Sequence, residues 1–412
     1  MWNVSHEGGL RLSKGERSLW DTQPAFREYD YFLQSVEVSS RKLRIKDDWP
    51  SELAKVLGVF EELSSDNETF GGHVTPSCGF INNASTGLHV HIALGDQHLP
   101  LRTVKSVLQL CTAFESRLDA LYQTNRIDPD NAYQRSTPSH FNANLSWHFG
   151  SNKNTNFAKN VCHWLSAIEE CSTYEELNKF FENDLMNADS DGQANMFHTD
   201  SHFSTLNMEN LYASFVEDEH AEPTGTIEFR QHGGTLDLKE ISAHVMLKAT
   251  LVSFCHTASD VDFLQLIAQA SNPEFRLFEL LAATGADSEL LKYYRQRFSV
   301  EGQAALKTEY NRNLKKLADK ENVFGFDALK IKSEVEKFTR SSAKAVADKI
   351  ELKENIGAYA GLNMRTFDIE GEYNKFVEMN GPAVQDAEKL SNLARTMVFQ
   401  QLDDSQPFQY WA

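Results

Sequence analysis

The stretch Gly225-Thr226-Ile227-Glu228-Phe229-Arg230-Gln231-His232-Gly233-Gly234-Thr235-Leu236-Asp237 decides how this chain is read. Apolar Ile227 and Phe229 alternate with Glu228, Arg230 and His232. Side chains along a β-strand point alternately to opposite faces, so residues two apart share a face. The spacing predicts a strand with one apolar face and a row of carboxylate, guanidinium and imidazole on the other. A helix would set Glu228 and Arg230 roughly 200° apart and build no site. The predicted row suits a divalent cation beside a bound anion, and on that ground the chain reads as an enzyme.

Two other segments repeat the pattern. Residues 31–39 alternate weakly and end in Ser35-Val36-Glu37-Val38-Ser39, which sets Glu37 opposite Val36 and Val38. Residues 86–93 put Leu88, Val90 and Ile92 on one face and His89 and His91 on the other. Each motif alone is commonplace, since a His-x-His pair is usually two half-exposed histidines and Glu-x-Arg is usually a surface ion pair. Together, in one sheet, the three strands would aim Glu37, His89 and Glu228 at a common point. Two carboxylates and an imidazole suit Mg²⁺ or Mn²⁺ better than a structural zinc. Arg230 and His91 are then left for anionic oxygens.

Around these strands the pattern is helical. Val104, Val107, Leu108, Cys111, Phe114, Leu118 and Leu121 predict an amphipathic helix over 102–122. Helices are expected at 52–63 and 157–170, and at 173–186 behind a Thr173-x-x-Glu176 capping box. Loops are expected at 125–156 and 187–202, and Asp237-x-x-Glu240 caps a helix to about 256. Strand signals vanish after 258. Helices are expected at 260–270, 273–283, 287–299, 302–320 and 327–352, with a mixed tail from 360. The fold class is α+β: an antiparallel sheet backed by helices over 1–258, then a mainly helical region over 259–412.

A chain of 412 residues can bury a sizeable core as one large domain or two. Its formal charge of −19 argues against nucleic acid or an anionic membrane as the main partner. Cys78, Cys111, Cys162, Cys171 and Cys255 are scattered without Cys-x-x-Cys spacing, so neither a disulfide framework nor a zinc knuckle is expected. The first residues lack the apolar run of a signal peptide, and the best apolar run, 245–255, is interrupted by Lys248. The expected location is a reducing compartment, the cytoplasm.

Thr86-Gly-Leu-His-Val-His91 followed by Thr226-Ile-Glu-Phe-Arg-Gln-His-Gly-Gly-Thr-Leu-Asp237 resembles the amidoligase family of the carboxylate–amine ligase superfamily, which shares the glutamine synthetase fold. The resemblance covers roughly residues 1–258 and implies a curved antiparallel sheet backed by helices. It implies that His89 and Glu228 are metal ligands, and that His91 and Arg230 contact phosphate or acyl phosphate. Val36-Glu-Val-Ser39 resembles a further strand of the family and adds Glu37 as a ligand. Asn207 resembles the family's Asn before the Glu-x-Arg strand. Arg126, with Asn131-x-Tyr133 after it, resembles a weaker motif. Asn207, Arg126 and His232 join His91 and Arg230 as expected nucleotide contacts. The implied cofactors are ATP and Mg²⁺ or Mn²⁺, and the implied partners are small-molecule or peptide carboxylates and amines.

Family members also carry a Glu-x-Glu strand upstream of Val-Glu-x-Ser, and these 412 residues contain no counterpart. Fewer carboxylates imply weaker cation binding. The alternative expectation is therefore an impaired nucleotide- or partner-binding form, with the helical C-terminal region as a protein-interaction surface. A metal-dependent hydrolase is a further alternative, because His-x-His strands also open binuclear hydrolase sites. No further Asp/His set supports it.

Overall fold

A computed structural model describes residues 2–6, 36–65, 67–70, 73–76, 86–114, 117–118, 121–122, 160–181, 183–185, 197–199, 206–211, 225–272, 275–299, 301 and 368–405. Arg126, Asn131, Tyr133 and the expected helices over 302–320 and 327–352 lie outside these residues.

In chain order the described elements begin with β1 (Asn3–His6), β2 (Val36–Ser39), α1 (Trp49–Ser65), β3 (Asn67–Phe70), β4 (His73–Pro76) and β5 (Gly87–Ile92). Helices α2 (Leu101–Ala113), α3 (Asn160–Glu170) and α4 (Tyr174–Phe181) follow, then β6 (Asn183–Leu185), β7 (Phe197–Thr199), β8 (Leu206–Asn207) and β9 (Ile227–Gly233). The rest is helical: α5 (Leu238–Thr257), α6 (Asp260–Ala268), α7 (Leu277–Ala283), α8 (Ser288–Phe298), α9 (Ile369–Asn380) and α10 (Ala387–Ser405), with 3-10 turns at Glu209–Leu211 and Gln269–Ser271. The fold is α+β, with small antiparallel sheets and many helices.

The central sheet has three strands in the order β5-β9-β8, both pairs antiparallel. Among the described residues β2 does not join it but pairs with β1 as a separate two-stranded sheet. The expected single sheet carrying Glu37, His89 and Glu228 is thus two sheets. The predicted helix over 173–186 starts as expected. Thr173 Oγ1 accepts from Glu176 N at 3.1 Å, and Glu176 Oε2 accepts from Ser172 N at 2.6 Å. It ends at Phe181, because Asn183–Leu185 pairs with Phe197–Thr199 instead of continuing the helix. The tail, expected to be mixed, forms α9 and α10. Asp368 Oδ1 caps α9 by accepting from Gly371 N at 2.9 Å.

Helix α2 occupies the centre. Every residue from Thr103 to Ala113 is buried, and α2 packs against α3, α5 and α6. The predicted helix over 102–122 thus has a regular segment at Leu101–Ala113, with a further helical turn in which Leu118 N donates to Phe114 O at 2.9 Å. One apolar cluster runs from Val90, Ile227 and Phe229 through Val107, Leu108 and Leu251 to Leu264, Val398 and Phe399, on both sides of position 258. Helix α5 backs the central sheet. Asp237 Oδ1 accepts from Lys239 N at 2.7 Å and Glu240 N at 3.2 Å, an acidic cap at the positive end of the helix. Among the described residues, no helix is long and apolar enough to cross a membrane.

Candidate functional site

The register of β5 against β9 decides which side chains meet. Ile92 faces Ile227, His91 faces Glu228 and Val90 faces Phe229; then the register shifts, and Leu88 faces His232. Two residues of β9, Arg230 and Gln231, therefore oppose His89 alone. This is a β-bulge, which re-aims the side chains beyond it. Directly opposed residues in an antiparallel pair share a face. Glu228 thus shares the open face with His91 and His89, whereas His232 falls on the helix-backed face with Leu88, Val90 and Phe229. The predicted row of three on one face is two, because the extra residue reverses the alternation before His232.

On the open face the polar groups converge on one carboxylate. Glu228 is 3% exposed. Its Oε1 accepts from Arg230 Nη1 at 2.6 Å and lies 3.1 Å from His89 Nδ1 and 3.6 Å from His91 Nε2. Its Oε2 accepts from Asn207 Nδ2 at 2.8 Å, across the β8–β9 register that sets Asn207 opposite Glu228. Asn207 is itself pinned, since its Oδ1 accepts from Glu209 N at 2.9 Å at the start of the 3-10 turn. His91 Nδ1 lies 3.3 Å from Thr226 Oγ1, and the ring is exposed. Burial alone would raise the Glu228 pKa. The His89 hydrogen bond and the charges of Arg230, His91 and His89 outweigh it and hold the carboxyl well below the usual range. Glu228 is ionised.

Five of the expected residues thus meet: Glu228, Arg230, His89, His91 and Asn207. Glu37 stands exposed on the separate β1–β2 sheet. Among the described residues, no group of three or more His, Cys, Asp or Glu side chains is arranged to hold a metal ion by itself. At Glu228 stands one carboxylate with two imidazoles beside it. Mg²⁺ commonly binds one or two protein carboxylates and takes its remaining ligands from water and substrate phosphates.

Beneath the sheet lies a second polar group that the sequence reading did not assemble. Lys248 is fully buried on α5. Its Nζ donates to Gln231 Oε1 at 2.5 Å and to Tyr122 OH at 2.6 Å, and sits 4.7 Å from the centre of the Phe229 ring. His232 Nε2 is 3.4 Å from Glu240 Oε1, which also pairs with Arg297. Hydrogen bonding to His232 and the Arg297 charge bring the Glu240 pKa down to about 2 against its burial. The ring of fully buried His244 lies 4.5 Å from that of His232, and among the described residues neither His244 nitrogen has a hydrogen-bond partner. In the sequence Lys248 stands out as a charge inside an apolar run, while His232 and Glu240 belong to motifs that point to other roles.

The family model described as "Putative amidoligase enzyme" matches residues 76–252. The match bears out the resemblance and spans β5, β9 and most of α5. Comparison with curated proteins and with solved structures gave no match.

Proposed function

We propose that this chain, in which residues 76–252 match the amidoligase family, is an ATP-dependent ligase that joins a carboxylate to an amine through an acyl phosphate. The observation that supports this reading is the convergence of Arg230, His89, His91 and Asn207 on the buried, ionised Glu228. A carboxylate resists amine attack because it is anionic and lacks a leaving group. Transfer of the γ-phosphoryl group of ATP to a carboxylate oxygen gives ADP and an acyl phosphate. The amine then attacks the acyl carbon, phosphate leaves with its bonding pair, and the ammonium proton passes to a base.

In this reading Glu228 and His89 hold Mg²⁺ or Mn²⁺, and Glu37 keeps a place as a further ligand by resemblance alone. Such a cation would offset the negative charge of the nucleotide's phosphate oxygens. Asn207 fixes the free oxygen of Glu228. His91, exposed beside the cluster, and Arg230 take phosphate oxygens, and Arg230 stabilises those whose charge changes during transfer. The curved sheet of the glutamine synthetase fold belongs to the same proposal.

A second reading, a nucleotide-binding form without turnover, is favoured by the single carboxylate at the centre of the cluster. One experiment separates the two. Purified protein with Mg-ATP is given pools of amino acids and short peptides carrying ¹⁸O in their carboxylates. The ligase reading expects ADP release that depends on both a carboxylate and an amine, an amide product by mass spectrometry, and ¹⁸O in the released phosphate. Mg-ATP binding without any product favours the binding form. Zinc-dependent amide hydrolysis without ATP overturns both.

A further inference from the structure

We infer that Arg230 gates the cation position: its guanidinium holds Glu228 in this structure, and an incoming phosphate-like oxyanion draws it off, so that anion and cation are taken up together. The inference rests on the reading of Glu228 as a cation ligand. Oε1 of Glu228 already accepts a hydrogen bond from Arg230 Nη1 at 2.6 Å and has two imidazole nitrogens within 3.6 Å. A divalent cation placed on that oxygen would stand beside a guanidinium. The two positive charges repel each other strongly at such short range. A bare cation therefore meets a blocked ligand.

Arg230 is nonetheless incompletely satisfied where it sits. Its side chain is 13% exposed, and its buried Nε has no hydrogen-bond partner among the described residues. A tetrahedral oxyanion accepts from Nε and a terminal nitrogen together, in the fork geometry that suits guanidinium. Turning to such an anion supplies the missing acceptor and releases Oε1. Glu228 is held in place during the exchange, because its other oxygen stays on Asn207, whose amide is fixed by Glu209 N. Anion binding thus raises cation affinity, and cation binding raises anion affinity by the same factor.

The test measures free Mn²⁺ by electron paramagnetic resonance with the full chain, with and without inorganic phosphate. Wild type is expected to bind Mn²⁺ weakly alone and at least about fivefold more tightly with phosphate. Arg230→Gln is expected to bind Mn²⁺ alone at least about fivefold more tightly than wild type and to lose the phosphate effect. Adding Glu228→Gln to Arg230→Gln is expected to abolish that gain. Thermal melts check folding, and the wild-type arm stands without the variant. No phosphate effect in wild type, or no gain in a folded Arg230→Gln protein, overturns the gate. If wild type still forms a Glu228-dependent complex with Mn²⁺ and a non-hydrolysable ATP analogue, only the gate has failed. If no Mn²⁺ binds under any condition, the cation reading fails with it.

Discussion

Glu228 and Arg230 stand two residues apart on one strand face, yet the proposed chemistry asks different things of them. A cation ligand serves the ground state, because the cation arrives with the nucleotide. A guanidinium on oxygens whose charge shifts during phosphoryl transfer serves the transition state. Glu228→Ala is expected to lose most Mg-ATP affinity, whereas Arg230→Ala is expected to lose turnover far more than affinity. Calorimetry of Mg-ATP binding beside amide-forming turnover reads the split, and near-normal turnover in Arg230→Ala would refute the assignment. His244 offers a different residue-scale prediction. Burial and the nearby charges of His232, Lys248 and Arg297 keep its pKa well below the ordinary histidine value. The folded protein therefore stays unprotonated where the unfolded chain takes a proton. Stability supplied by neutral His244 is full above about pH 6.5 and falls as the pH drops below it. His244→Leu is expected to lose less stability than wild type between about pH 7.5 and 5.5. Urea unfolding at both pH values measures it, and equal losses would show that His244 carries no such penalty.

At the level of elements, β9 is set by the bulge at Arg230 and Gln231 and by the glycines that follow. A Cβ built at Gly234 would lie 2.5 Å from Thr86 Cβ, while Gly234 N donates to Thr86 O at 2.7 Å. The chain needs Gly here for close backbone approach to the start of β5. Gly234→Ala is expected to destabilise by about 1–3 kcal/mol. Thr86→Gly in the same protein removes the colliding atom and is expected to recover part of the loss, an interaction measurable by denaturant unfolding of the cycle. Additive effects would mean that the two sites do not touch in the folded protein. The bulge also shows which part of the site was legible. Alternation correctly put Glu228 and Arg230 opposite Ile227 and Phe229, because hydropathy reports the face while the register holds. An extra residue in one strand leaves no hydropathy signature, so His232 was read on the wrong face. The partners of Asn207 and the contact of His91 with Thr226 depend on cross-strand register, which no single segment encodes. For α4 the cap was legible, since it is local. Its end was not, because pairing with Phe197–Thr199 overrode helix propensity.

Across the whole molecule, α9 and α10 are tied to the centre by buried charge. Arg395 on α10 is 1% exposed; its Nη2 donates to Gln109 Oε1 at 2.5 Å and its Nε lies 3.3 Å from Glu169 Oε2. The guanidinium stacks 4.2 Å from the Phe263 ring centre. Glu169, buried on α3, also accepts from Arg102 Nη1 at 2.5 Å and Gln109 Nε2 at 2.8 Å. Asp260 pairs with Arg102 and accepts from Tyr373 OH at 2.5 Å, adding α6 and α9 to the same network. None of this was legible in the sequence, since the tail's charges and glycines look like those of any solvated segment until their partners more than a hundred residues away are known. Removing one partner of a buried ion pair leaves the other charge uncompensated and costs about 3–5 kcal/mol. Arg395→Met keeps bulk but takes one cation from Glu169 and leaves it Arg102 and Lys105, so it is expected to cost less than that, about 1–3 kcal/mol. The exposed Glu289–Lys292 pair on α8 is the control: Lys292→Ala is expected to change stability by less than about 1 kcal/mol. Because the network and the shared apolar cluster join α10 to α2 and α3, wild type is expected to unfold in one transition. Amide exchange in 394–402 should then be as slow as in 243–255. Early exchange of 394–402, or an Arg395→Met protein as stable as the Lys292→Ala control, would show that α10 is held by apolar packing alone and that the buried charges add no net stability.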